Sequence, residues 1–255
     1  MSSGMNVDFS KVPVKDQKVI QNDVNRSLTS FSVTQSYNQE QRMEMREKLS
    51  MILLRILSRN HGSMHYYQGF HDVCSVHLLT CGSELGEMTA EIHSQVLLLK
   101  YLEEDMTSTT SLLNILPMIF QNCDQKVYKF LKKYKVQPFY CVSWVITGLA
   151  HDLEDFELIG RIYDVFLSSH EFFPLYFAAA LVMHGPARSQ LFKNKDMAET
   201  HHYLQNLPKN LVLSKTKLKQ KKNAAQQQYY IEDIVESARS LMESISPDTL
   251  SSYLK

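Results

Sequence analysis

The sequence predicts an all-α fold: one multi-helix domain of roughly a dozen to sixteen helices around a single core, with no sheet of consequence. Three observations predict it. Apolar residues recur at three- and four-residue intervals along most of the chain, the spacing of one helix face. Glycine and proline are scarce, eight and seven among 255 residues, which argues against a turn-rich β fold. Apolar residues make up 44% of the chain, enough for a core. No repeat of fixed period appears, so a solenoid is not favoured.

The elements follow in order. Ile20, Val24, Leu28 and Phe31 mark a first helix. Met45, Leu49, Ile52, Leu53 and Ile56 mark a second, ending near Asn60-His61-Gly62. A third runs from about Gly69 to Cys81 and breaks at Gly82-Ser83; Ile92 to Leu102 give a fourth. Ser111 to Phe120 is interrupted at Pro117, and Val127 to Tyr134 closes at Gln137-Pro138. Phe139 to Leu149, Leu158 to Leu167 and Phe172 to His184 are further apolar segments, the last stopped by Gly185-Pro186. A final amphipathic helix carries Tyr230, Ile231, Ile234, Val235 and Leu241, with its stop at Ser246-Pro247. The organisation is thus a polar N-terminal tail (1–15), the main domain (16–213), a lysine- and glutamine-rich loop or insertion (214–228) and a helical end (229–255). Five lysines fall within residues 215–222, which reads as a solvated loop.

Composition excludes several function classes. Lysine plus arginine and aspartate plus glutamate both number 27, so the net charge of zero supports no general field for nucleic acid or a membrane surface. Residues 1–18 carry no apolar stretch of a secretory signal. The longest apolar run, Phe172 to Met183, contains Pro174 and is too short to span a bilayer, so a cytosolic chain with no membrane span is expected. Cys74, Cys81, Cys123 and Cys141 show no C-x-x-C pair and read as reduced, buried thiols. His71, Cys74, His77 and Cys81 share a helix face but spread over about 15 Å along its axis. Zinc needs ligands at about 2.0–2.3 Å, so the four cannot meet one ion and packing is the better reading. The chain lacks G-x-x-x-x-G-K-[ST] and so has no phosphate-binding loop of its own.

Two short motifs stand out: Ile20-x-x-Asp23-x-x-Arg26 and Tyr66-x-Gln68-Gly69. Asp23 sits at the edge of the first helix's apolar stripe, and Arg26 lies about 60° further round, one turn along. The two can pair, which would restrain an arginine at a cleft edge. Taken alone, the spacing is equally that of a surface ion pair worth about 0.3–0.5 kcal/mol. Gln68 falls at a loop-to-helix junction, where its amide can both donate and accept; a polar helix cap is the plainer reading of the same residue. Gly69 permits an unusual φ or a close backbone approach there.

These motifs resemble those of the TBC domain family, which activates Rab-type small GTPases. So do Arg161-Ile162-Tyr163-Asp164-Val165-Phe166-Leu167, with tyrosine where the family has tryptophan, the stretch His65 to Asp72, and Pro174 to Ala179. The likeness covers most of residues 16–213. It implies that Arg26 is an arginine finger for the transition-state phosphates and Gln68 a glutamine that positions the attacking water in trans. It implies that Asp23 and Tyr66 support the fingers, and that Gly69 and Asp72 lie by the same cleft. Fingers of this kind are worth on the order of 10³–10⁵ in rate. The protein would then be no GTPase itself. Its partner, a GTP-bound Rab, would hold the GTP and Mg²⁺, so it would need no cofactor of its own. The resemblance further implies action between endoplasmic reticulum and Golgi, at the cytosolic face of their membranes. The alternative is a TBC-like module that binds a Rab or an adaptor without stimulating hydrolysis. The family often carries an R-x-x-x-W helical segment before the arginine motif, and no tryptophan stands in the 25 residues before Arg26.

Overall fold

Val14–Arg26 form the first helix, α1, which buries Ile20, Asp23 and Val24. The predicted stripe holds at Ile20 and Val24; Leu28 and Phe31 are buried too, but in the loop beyond the helix end, because Leu28 takes a left-handed φ that stops the helix. The structure, a computed structural model, describes residues 8–214 and 228–254. These fall into two compact units, one of residues up to Ser108 with Glu154–Phe156, the other of Thr109–Leu153 with residues from Glu157 onward.

In the first unit the stretch read as a polar tail is packed from Asp8 on. Asp8 caps a 3-10 turn over Phe9–Lys11, its carbonyl accepts a 2.7 Å bond from the Ser58 hydroxyl, and Val12 is buried. Residues 1–7 lie outside the described residues. The second helix, α2, spans Gln39–Arg59 and opens on a capping box formed by Asn38 and Gln41. It buries Leu49, Ile52, Leu53, Ile56 and Leu57. Its Arg46 donates twice to the Ser27 carbonyl (3.2 and 2.9 Å). Its Arg42 donates to the carbonyls of Leu28, Thr34 and Tyr37. Two arginines one turn apart therefore fix the loop that follows α1, in which Leu28 holds a left-handed φ of 59°.

The third helix, α3, runs over Phe70–His93 but is broken at Gly82, whose φ of 75° and ψ of −175° are not helical. The break at Gly82-Ser83 agrees with the sequence; its consequence is larger than a kink. Sixteen helical residues would advance about 24 Å, yet His77 Nε2 and His93 Nδ1 lie 3.0 Å apart. The chain doubles back into two helical arms. Gly86 permits their close approach, because a Cβ there would stand 2.8 Å from the His77 carbonyl oxygen. Arg55 and Arg59 of α2 pair with Glu87 and Glu91 on the second arm. A π-turn at Ser94–Leu98 and a 3-10 turn at Leu99–Tyr101 complete the fourth predicted segment.

The other unit begins within α4 (Thr107–Leu113), at Thr109, and continues with α5 (Leu116–Cys123), where Pro117 occupies the first turn rather than a helix interior. Asp124 caps α6 (Gln125–Lys133). A 3-10 turn at Pro138–Cys141 leads into α7 (Val142–Ile146), and α8 spans Phe156–Leu167. The ninth helix, α9 (Phe173–Met183), is buried nearly all round, as its unbroken apolar sequence requires. Gly185-Pro186 stops it and also starts α10 (Gly185–Leu191). Then come α11 (Met197–Gln205), α12 (Ile231–Ser244) and α13 (Pro247–Ser251). The twelfth helix lies along α9, pinned by Tyr176 Oη donating to the Ile245 carbonyl at 2.6 Å and by a bidentate Arg161–Glu232 pair at 2.7 and 3.0 Å. Tyr163 donates to the Thr147 carbonyl at 2.9 Å.

Among the described residues the fold is all-α apart from one two-residue parallel pairing, Leu211–Val212 (β1) with Tyr229–Tyr230 (β2), in register Leu211 to Tyr229. Those strands flank residues 215–227; the lysine-rich stretch lies outside the described residues. Two expectations about cysteines need correcting. Cys74 and Cys141 are buried free thiols, but Cys81 and Cys123 are exposed, because each is the last helical residue before a break. Among the described residues no helix is long and apolar enough to cross a membrane.

Candidate functional site

The two motifs meet at Asp23. Its side chain is 2% exposed and its carboxylate divides between two partners. One oxygen accepts from Arg26 Nη2 at 2.6 Å and the other from the Tyr66 hydroxyl at 2.8 Å. The i, i+3 spacing on α1 makes the first contact local, while the second bridges 43 residues of sequence. Tyr66 is two residues from Gln68, so one buried carboxylate joins the arginine segment to the glutamine segment. Burial of a charge in this way demands such partners. Burial first, and the hydrogen bond to Asp23 second, push the Tyr66 phenol far above its ordinary pKa, so it stays a donor at any physiological pH.

Arg26 is the last residue of α1, and its side chain is 69% exposed. Nε donates to the Asn22 carbonyl at 3.3 Å. Nη1 has no partner among the described residues. The guanidinium is thus held on one edge and open on the other. Gln68 is exposed, and its amide makes no side-chain hydrogen bond among the described residues. Gly69, buried beside it, takes φ 117° and ψ −19° and stands at the N-terminus of α3. That left-handed φ suits glycine, and it turns the chain from the Tyr66-Tyr67-Gln68 segment into the helix. Asp72 is buried in the first turn of α3, where a carboxylate faces the positive end of the helix.

Two residues that the motif reading did not place complete the cluster. His71 Nδ1 lies 3.0 Å from the Tyr66 hydroxyl and 3.6 Å from Asp23, while its Nε2 lies 3.3 Å from Asp72 Oδ1. The sequence includes it in the His65–Asp72 stretch but assigns it no role at the site. Asp16 Oδ2 accepts from the Tyr66 backbone N–H at 3.3 Å, and His65 Nδ1 stands 4.0 Å from it. Asp16 precedes Asp23 by seven residues, which puts it on the same face of α1 two turns earlier; only the fold shows that it meets Tyr66. All of these residues lie in the first unit. Among the described residues no three His, Cys, Asp or Glu side chains gather in a way that could hold a metal ion.

The all-α fold fits the family that the sequence motifs resemble. Comparison with known proteins agrees. The sequence model of the Rab-GTPase-TBC domain matches residues 5–192. TBC1 domain family member 20 of Homo sapiens is 36% identical over 197 residues, which cover 77% of this chain and 48% of that protein. The GTPase-activating protein gyp10 of Schizosaccharomyces pombe is 25% identical over 198 residues, 77% of this chain and 52% of that protein. The chain spans about half the length of these curated relatives. It belongs to the Rab-GTPase-TBC domain family.

Proposed function

We propose that the protein is a GTPase-activating protein for a Rab-type small GTPase, with Arg26 and Gln68 entering the partner's active site in its GTP-bound state. The observation that carries this reading is the Asp23 carboxylate shared by Arg26 and Tyr66. Hydrolysis of GTP spreads charge over the transferred phosphoryl group and needs a water held in line with it. Arg26 would meet that charge with its open edge while Asp23 keeps the opposite edge fixed. An arginine restrained in advance loses less entropy on meeting phosphate. Gln68 would orient the water, accepting its hydrogen through the carbonyl and bonding the phosphoryl oxygen through the amide N–H. Tyr66, Gly69, His71 and Asp72 would set the angle of that segment. GTP and Mg²⁺ would be the partner's, and this chain contributes no bond-making group. The family likeness extends the proposal to a Rab acting between endoplasmic reticulum and Golgi, at the cytosolic face of their membranes.

Single-turnover GTP hydrolysis across a panel of GTP-loaded Rabs tests the proposal. At least one Rab is expected to be accelerated strongly. Arg26→Ala should lose about 10³-fold or more of that acceleration, and Gln68→Ala about 10²-fold. If both variants stimulate like the parent, or if the parent binds Rabs and accelerates none, the proposal fails.

A further inference from the structure

The outer face of the second α3 arm is apolar and uncovered among the described residues. Leu85, Met88, Ile92, Val96 and Leu99 are between 42% and 65% exposed. Gly86, Ala90, His93 and Ser94, on the inner side of the same stretch, are buried. Leu85, Met88 and Ile92 share an arc of about 60° on the helix. The row then continues through the π-turn to Val96 and to Leu99 at the start of the 3-10 turn. All five belong to the first unit. Together they present on the order of 400 Å² of apolar surface, the scale at which a patch on a monomer is often functional.

Two features say what fits this row. The first is its symmetry. Its spacings are three, four, four and three, the same in both directions from Ile92. A second copy laid antiparallel across a two-fold axis at Ile92 therefore sets Ile92 on Ile92, Met88 on Val96 and Leu85 on Leu99. That is the reciprocal matching of an isologous contact, and alternating threes and fours are the seam by which paired helices interlock. Two copies would bury roughly 800 Å² of apolar surface, which with a polar rim reaches the lower end of specific interfaces. The second feature is charge. No lysine or arginine occurs from 60 to 99, so the row lacks the basic flanks by which an amphipathic helix holds an anionic membrane. Glu87 and Glu91 on the same arm are paired with Arg55 and Arg59 of α2, which removes most of the like-charge repulsion between two copies. A chain of zero net charge adds no long-range repulsion to oppose them.

We propose that this face docks a second copy of the chain, as an antiparallel homodimer about Ile92. The inference does not depend on the finger assignment.

Sedimentation velocity of the 255-residue protein from about 1 to 100 µM tests it. The mass is expected to rise from 29.5 kDa towards twice that value. Ile92→Glu sets two carboxylates on the axis and should weaken self-association about a hundredfold or more. Val14→Glu, on another exposed apolar side chain, should leave it unchanged. Direction is read in a Cys81→Ser/Cys123→Ser background, which removes the two exposed thiols. There, a mixture of Met88→Cys and Val96→Cys proteins should crosslink with a short bismaleimide several-fold more than either protein alone. A parent monomeric throughout the range, an Ile92→Glu variant that associates like the parent, or a mixture that crosslinks no better than its components would overturn the proposal. So would a parent that stays monomeric and gains mass only on phosphatidylserine vesicles, which would assign the face to lipid. Because Ile92 is half exposed, Ile92→Glu should keep the parent's Tm; if it does not, the crosslinking result decides.

Discussion

At the scale of the residue, Asp23 decides the arrangement. A carboxylate this buried is tolerated because two donors meet it, Arg26 on one oxygen and Tyr66 on the other. Removing one donor leaves part of a buried charge unsatisfied. Tyr66→Phe is therefore expected to cost about 1–3 kcal/mol of stability, read by chemical denaturation. It should also reduce the acceleration of GTP hydrolysis about tenfold, since the segment bearing Gln68 loses its tie to α1. A variant with parent stability and activity would show that the hydroxyl contributes nothing. The sequence made Asp23, Arg26, Tyr66 and Gln68 legible because they sit in short motifs with local spacing. His71 and Asp16 were not legible as members of the cluster. Both take part through the fold: His71 reaches Tyr66 only because Gly69 turns the chain between them, and Asp16 reaches Tyr66 only because α1 lies beside that segment.

At the scale of the element, the folded-back α3 is the most consequential feature. Its stop at Gly82 was readable, since glycine punctuates a helical pattern. Its reversal was not, because no sequence pattern states which way a chain leaves a positive-φ glycine. The close packing at Gly86 gives a direct test: Gly86→Ala would drive a methyl group against the His77 backbone carbonyl and should destabilise the protein by about 1–3 kcal/mol. Thermal or chemical unfolding measures it, and an unchanged stability would contradict the close approach of the two arms. The arms also trap the His77–His93 pair. Burial depresses both imidazoles, to about 4 for His77 and about 3 for His93, with the neighbouring His77 adding to the effect on His93. In the unfolded chain both protonate near pH 6.5. As pH falls below 6.5, the unfolded chain takes up protons that the folded chain refuses, and stability falls. The loss steepens as pH falls through the unfolded value near 6.5, continues until the folded imidazoles begin to protonate near pH 4, and is absent well above neutrality. Unfolding curves at a series of pH values should show it, and His77→Leu/His93→Leu should flatten it; an equal slope in the double variant would assign the acid sensitivity elsewhere. The short helices α10, α11 and α13 escaped the sequence reading for a simple reason: five to nine residues give too few turns for a stripe to emerge.

At the scale of the whole molecule, the all-α class was legible from periodicity and the scarcity of glycine and proline, and the family from motif order. The division into two units was not, because residues 154–156 pack with the first unit although their neighbours in sequence belong to the second. Phe156 carries that crossing: its ring meets Phe31 edge-on at 5.8 Å, and its N–H donates to the Ser32 hydroxyl at 3.0 Å. The functional proposal places one half of a catalytic centre here and the other half, with nucleotide and metal, on a partner. On that proposal, supply of the water-positioning amide in trans would make the partner's own glutamine dispensable. The most direct measurement is single-turnover GTP hydrolysis by a responsive Rab whose switch-region glutamine is replaced by leucine. The account predicts that the parent protein still accelerates hydrolysis by this Rab and that Gln68→Ala does not. Loss of all acceleration with the parent protein, together with full acceleration of the unmodified Rab by Gln68→Ala, would contradict it.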